Sequence, residues 1–187
     1  MIEIAELNTH RLRLRQWRDS DKEPFARLNA DPEVMKFFPS LLNRSASNAM
    51  ADQFKKLIAE QGWGMWAVEI TENEQLIGFV GLCHAPDGLP FSPCIEVGWR
   101  IAKEFWGKGY ATEAATAALN FGFSQLHLDE IVAYTSIRNL PSQAVMRRLG
   151  MQRSLPDFAH PNLSNEHPLS ERCVYQITSE QWQQRSM

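Results

Sequence analysis

The chain has few cysteines, no long apolar run and little excess charge, and each shortage narrows what it can be. Cys83, Cys94 and Cys173 are odd in number and no two stand at metal-ligand spacing. A disulfide framework and a zinc site are therefore not expected, and the three are read as reduced, buried, structural thiols in a cytosolic compartment. No segment approaches the roughly 20 apolar residues needed to cross a bilayer. The opening Met1-Ile2-Glu3-Ile4-Ala5-Glu6 places acid where a secretory signal needs base followed by an apolar stretch. The expectation is a soluble, cytoplasmic protein with no membrane partner. A net charge of −3 argues against a nucleic-acid partner held through its phosphates. Arg11, Arg13, Arg15 and Arg18 alternate with Leu12 and Leu14, which reads as the wet face of a strand. A Gly-four-residues-Gly-Lys-Ser/Thr run is missing too, which excludes a P-loop nucleotidase.

What is present is ordinary for a globular protein: 187 residues, 44% apolar and 22% charged. That is one sizeable core, hence a single domain over residues 1–187 with a core of about residues 10–178. His10 to Trp17 reads as a first strand. Ser20-Asp21-Lys22-Glu23 reads as a capping box opening a helix that carries Phe25 and Leu28 inward. Asp31-Pro32-Glu33 is a second helix-start signal, followed by an apolar loop with Met35, Phe37, Phe38 and Pro39. From Ser45 or Ser47 to Gln61, Met50, Phe54, Leu57 and Ile58 recur at helical spacing, and Gly62 ends the pattern. Trp63 to Thr71 and Leu76 to His84 form an expected hairpin. Ala85 to Pro93, with three prolines and a glycine, is a loop. Glu130 to Ile137 is a buried strand and Asn139 to Leu149 a short helix stopped by Gly150. Leu155 to Leu169 is a loop, Arg172 to Thr178 the last strand, and the tail to Met187 a short helix or frayed end.

The stretch that organises the rest runs from Cys94 to Phe123: a strand, then Trp106-Gly107-Lys108-Gly109-Tyr110-Ala111, then an alanine-rich helix from Thr112 with Glu113 in its first turn. Two glycines where a chain leaves a strand leave the amides of the next helical turn free of side chains. Such amides, with the helix dipole, attract phosphate. A dinucleotide-binding fingerprint is one alternative, because Asp129 follows about twenty residues later. The third glycine of that pattern is replaced by Thr112, and the early helices and hairpin do not form a doubly wound sheet.

Two blocks carry a resemblance to the GNAT acyltransferase superfamily, and within it to the RimJ/RimL-like branch of ribosomal-protein N-terminal acetyltransferases. The pyrophosphate loop of that superfamily, Arg or Gln, two residues, Gly, one residue, Gly or Ala, falls on Trp106, Gly109 and Ala111; the Trp is usual in this branch. Downstream, Asn139-Leu140-Pro141-Ser142-Gln143-Ala144-Val145-Met146-Arg147-Arg148-Leu149-Gly150-Met151 resembles the Asn-x-x-Ser and Leu-Gly helix motif. The similarity extends from about Arg11 to Ile177. It implies the α/β acyl-CoA N-acyltransferase fold, α+β mixed, with a central mixed sheet splayed between the strands that flank the long helix.

The resemblance also implies acetyl-CoA as cosubstrate, no metal, and a primary amine as acceptor, either a protein N-terminus or a small molecule. The protein is expected to be a monomer or homodimer. The diphosphate would lie on the amides of Gly107, Lys108, Gly109, Tyr110, Ala111 and Thr112 after Trp106, and the pantetheine arm along the backbone near Trp99 and Ile101. Asn139 would bond the pantetheine amides or the backbone, or else serve as a helix cap, and Lys108, Arg147 and Arg148 would support the phosphates of the nucleotide end, with plain exposed surface bases as the alternative. Alternation places Glu96, Gly98 and Arg100 on one face of their strand, apart from Ile95, Val97 and Trp99. Glu96 is accordingly the candidate general base, through water, with a pairing to Arg100 as the structural alternative. The thiolate's usual proton donor, a tyrosine, corresponds to Met146, so Ser142 takes that place as a hydroxyl relay; as a plain helix-start hydroxyl it would only cap. His160 and His167, near Asp157, Glu166 and Arg172 in the Pro-rich loop, are further candidates to meet an amine. The rival that keeps the fold and drops the chemistry is an inactive CoA-binding sensor or protein-interaction module.

Overall fold

The computed structural model describes residues 2–154, 156–164 and 166–185. Leu155, where the expected Pro-rich loop begins, and the last two residues of the tail lie outside them. The chain divides into two compact units, Met1–Leu82 with Gly98–Ala118, and Cys83–Val97 with Leu119–Met187. Two strands and the long helix run from one unit into the other. No helix among the described residues is long and apolar enough to cross a membrane.

The first unit is an antiparallel ladder backed by two helices. Strands β1 (Leu7–Asn8), β2 (Leu12–Arg15), β3 (Met65–Ile70) and β4 (Leu76–His84, its last two residues in the second unit) pair in sequence order, with Leu14 opposite Val68 and Met65 opposite Gly81. Helix α1 (Lys22–Ala30) and helix α2 (Arg44–Gln61) follow the apolar spacing, and α2 ends at Gly62, whose φ of 85° is the left-handed cap that favours glycine. Trp17, Phe25, Phe54 and Phe79 pack ring against ring at 4.8–5.9 Å, and the Trp17 indole N–H donates to the Met65 carbonyl at 2.7 Å.

Three sequence expectations change in this unit. Arg15 is not on a wet face: it is 2% exposed, donates twice to the Asp21 carboxylate at 2.8 and 2.9 Å and once to Glu69 at 2.6 Å. Alternation cannot distinguish a solvated arginine from one met by two acids 6 and 54 residues away. The Ser20 capping box does not form. Asp21 takes over, accepting the Arg18 N–H at 2.7 Å, while Glu23 pairs with Arg27 and Arg44. Asp31 caps only a turn, its carboxylate accepting from the Glu33 N–H at 2.8 Å, and no helix follows Pro32.

The second unit is built on strand β6 (Glu130–Ser136). It pairs antiparallel along its whole length with β9 (Glu171–Thr178), which also pairs with β7 (Gln152–Arg153) and with β8 (Phe158–Ala159), a short strand inside the expected loop. On its other side β6 runs parallel to β5 (Ile95–Ile101), joined at one register pair, Glu96 opposite Val132. One point of contact between the strands that flank the long helix α3 (Tyr110–Ser124) is the splay the fold requires. Directly opposite residues share a face. Thr135 and Cys173, with Ala133 and Tyr175, face helix α4 (Leu140–Arg148), whose Gln143 accepts from the Tyr175 hydroxyl at 3.4 Å. Val132, Tyr134, Ser136, Arg172 and Val174 look the other way. Helix α5 (Ser179–Arg185) closes the unit, with the Trp182 indole N–H on Asn120 at 2.8 Å. The result is a mixed α/β fold of nine strands and five α-helices among the described residues.

Candidate active site

In the first unit, β5 ends and the chain turns through Gly107 and Gly109, at φ 74° and 81°, into α3. Both angles lie in the left-handed region where a Cβ is strained. A Cβ at Gly107 would meet nothing within 4 Å, so the backbone there stands open. The first helical bond is Glu113 N–H to Gly109 carbonyl; the N–H groups of residues 107–112 find no acceptor among the described residues. That is a row of donors at the positive end of a 15-residue helix, suited to a diphosphate.

The loop is braced from the start of the chain. The Glu113 carboxylate accepts from the Thr9 hydroxyl at 2.6 Å, the Arg11 N–H at 2.9 Å and the Arg11 Nε at 2.7 Å. The Arg11 guanidinium also lies 4.4 Å from the centre of the Tyr110 ring. Burial pushes the Glu113 carboxyl up, but these hydrogen bonds outweigh it and hold it below the usual carboxylate range. Trp106 is exposed on one side while its indole N–H donates to the Ile101 carbonyl at 2.7 Å. The Trp thus ties the loop to the end of β5. It also occupies the Ile101 carbonyl, one of the groups expected to meet the pantetheine arm. Trp99 is half-buried on the same strand, and Lys108 is exposed with its ammonium 5.4 Å from the Phe105 ring.

In the second unit Glu96 is partly buried. Its Oε1 accepts from the Cys83 thiol at 3.2 Å, and its Oε2 is buried with no hydrogen-bond partner among the described residues. Burial lifts its pKa to about 7, against a smaller lowering by the thiol. Burial and the Glu96 charge push Cys83 far up, so the thiol stays protonated and remains the donor. The expected alternative, a Glu96–Arg100 pair, gives way to two separate arrangements. Arg100 donates to Asn29 at 2.5 Å and lies over the Phe38 ring at 4.1 Å, and burial lowers it to about 10. A carboxylate that is half protonated near neutrality can take a proton from an ammonium and give it up again.

At the start of α4, the Asn139 carboxamide accepts the Ser142 N–H at 3.2 Å and donates to the Ser142 hydroxyl oxygen at 3.1 Å and to the Thr135 hydroxyl at 3.0 Å. Asn139 is therefore the cap, and the Ser142 hydroxyl proton is left to donate elsewhere. Met146 is 2% exposed and has nothing to donate. Arg147 donates to the Tyr175 hydroxyl at 3.3 Å. The loop histidines hold turns: His160 Nδ1 accepts from the Asn162 N–H at 3.2 Å and His167 Nδ1 from the Leu169 N–H at 3.1 Å.

Sequence reading missed Cys83, Tyr134 and the Arg11–Glu113 brace. Glu113 announced itself only as an acid in a first helical turn, and nothing local marked its partner 102 residues earlier. Cys83 could have been found by pairing the face of β4 with that of β5, which needs the sheet order.

The sequence model of the Acetyltransferase (GNAT) domain family matches residues 11–152. The chain is 28% identical over 177 residues to a Bacillus subtilis (strain 168) protein named "Uncharacterized N-acetyltransferase YnaD", covering 94% of this chain and 98% of that one. It is 29% identical over 183 residues to the FsC-acetyl coenzyme A-N(2)-transacetylase of Aspergillus fumigatus, covering 94% of this chain and 77% of that protein. Among solved structures, an acetyltransferase (GNAT family) from Bacillus anthracis superposes with a TM-score of 0.79 at 24% identity over 94% of this chain and 99% of that one.

Proposed function

The chain belongs to the GNAT acetyltransferase family and is an acyltransferase, and from that premise we propose that it acts as one catalytic domain, moving the acetyl group of acetyl-CoA to a primary amine by direct transfer in a ternary complex. The observation that carries this reading is the row of unaccepted N–H groups from Gly107 to Thr112 at the start of α3. Those amides hold the diphosphate with Lys108 beside them, and the Trp99 backbone meets the pantetheine arm.

Glu96 takes a proton from the acceptor ammonium through water. The neutral nitrogen then attacks the thioester carbonyl carbon and the C–N bond forms. The cationic nitrogen of the adduct loses its second proton to water, the C–S bond breaks, the leaving thiolate takes a proton from Ser142, which recovers it from solvent, and Glu96 releases its own proton to water. A backbone N–H of β5 faces the developing oxyanion. The acceptor is a protein N-terminal amine, as in the RimJ/RimL-like branch, or a small-molecule amine.

The buried Met146 favours a second reading, a CoA-binding sensor without turnover. Titration of acetyl-CoA into the wild-type protein and Gly109→Asp tests the site itself: binding in the first, lost in the second, is expected, and equal affinity in both contradicts it.

A further inference from the structure

Arg172, on β9 in the second unit, is 8% exposed and its Nε is buried without a hydrogen-bond partner among the described residues. No carboxylate among those residues pairs with it. Arg15 shows how this fold treats a buried guanidinium when the chain itself answers the charge: two acids surround it. A buried cation with no such answer is costly, and the cost is removed when something else brings the anion.

The surroundings of Arg172 say what that something is. It sits opposite Phe158 and Ser136 in register, on the face shared by Val132, Tyr134 and Val174, and Glu96 stands opposite Val132 at the other end of that row. The Tyr134 phenol is raised first by burial, then further by the Glu96 charge, and is opposed by Arg172. One tyrosine therefore feels both charges. Phe91 lies 5.4 Å from the Tyr134 ring and 5.5 Å from Phe158. Beside them is an open cavity of ≈ 280 Å³ lined by Pro90, Phe91, Pro156, Asp157, Phe158 and Val174. Its one acid, Asp157, is already paired with Arg153.

We propose that Arg172 binds a carboxylate of the acceptor, so that the amine taken for acetylation is of the amino-acid class, with its carboxylate on Arg172 and its side chain against Phe91, Tyr134 and Phe158. This rests on the acetyltransferase reading and narrows it. A lone planar guanidinium fits a carboxylate in a two-point fork. A doubly charged phosphate would want a second cation, and the pKa of His160, which feels the Arg172 charge, is lowered by burial and by that charge.

The test compares L-phenylalanine with phenethylamine and L-leucine with isopentylamine, pairs that differ by the carboxylate alone. Binding to the CoA-loaded protein is measured by calorimetry and acetylation by kcat/KM. A charge-assisted pair predicts a preference of about tenfold to a hundredfold for the amino acid in each pair. In Arg172→Met that ratio falls toward one, in Arg172→Lys it falls partway, and the thermal midpoint of Arg172→Met holds or rises because no partner is left unpaired. Equal use of both members by the wild type, or a preference that survives in Arg172→Met, overturns the proposal. If the binding preference follows Arg172 but no amine is acetylated, the carboxylate site stands and the acetyltransferase reading fails.

Discussion

The Cys83 thiol donates to Glu96 Oε1 at 3.2 Å while the other carboxylate oxygen is buried with no partner. The single weak donor leaves burial in control, and the carboxyl sits at about 7. A base needs its carboxylate form, so kcat/KM should rise with pH through about 7 and level off above it. Removing the thiol in Cys83→Ala takes away the one interaction that favours the charged form. The inflection should move to higher pH, and a profile unchanged in that variant would place the base elsewhere.

The same shift has a consequence for stability. Glu96 is raised from 4.5 to about 7, so between those values the folded state holds a proton that the unfolded state has released. Stability therefore falls as pH rises through that window, by about 3 kcal/mol at its upper end. Glu96→Gln cannot ionise, so at pH 8 it should be more resistant to urea than wild type while turning over at least about 100-fold more slowly. A variant that is both fully active and no more stable would contradict both assignments.

The brace on the phosphate loop predicts a binding defect with little chemical defect. Glu113→Gln keeps the shape but removes the charge that gathers Arg11 and Thr9. Acetyl-CoA KM should rise by about threefold to tenfold with kcat nearly unchanged, as expected for the loss of one charge-assisted contact of about 1 kcal/mol. Glu113 is held below its ordinary pKa, so its contribution to folding is present above that value and lost as pH falls through the lowered one. A drop in kcat without a change in KM would show that the brace does something other than shape the loop.

Ser142 and Asn139 can be separated. Asn139→Ala removes the cap and should cost about 1 kcal/mol of stability by denaturant unfolding. Ser142→Ala leaves the cap oxygen in place and should lower kcat with little effect on stability. If Ser142→Ala is fully active, the thiolate takes its proton from water or from another group.

Arg15 is a buried cation on which two buried acids converge. Arg15→Met leaves the almost wholly buried Asp21 without its cation and Glu69 with only the longer contacts to Arg18 at 3.5 Å and Arg13 at 4.0 Å, and a loss of about 3 kcal/mol is expected. The double replacement with Asp21→Asn should recover part of it. A single variant as stable as wild type would mean that the acids find other partners.

Local signals carried the regular parts of this chain. The spacing of Phe54 and Ile58, the Gly62 stop, the hairpin around residues 72–75 and the glycine turn at 107–109 are written within a few residues of where they act. What was not legible depends on contacts between distant segments. Arg15 reads as a wet-face residue until Glu69 is folded against it. The Ser20 box is a sound local pattern, overridden because Asp21 is wanted by Arg15. Glu96 could be nominated from strand alternation, but its raised pKa comes from burial, which the Cys83 thiol only partly offsets, and Arg172 carries no local mark of being a cation without an acid.

The most direct test of the central claim is a stoichiometric assay that follows free CoA thiol and acetylated product together when the protein is mixed with acetyl-CoA and a panel of primary amines. The account predicts thiol release that depends on amine, one acetyl-amine per thiol, and a fall in both for Glu96→Gln. Acetyl-CoA bound tightly, with no acetylated product from any amine, would contradict it and leave the sensor reading in its place.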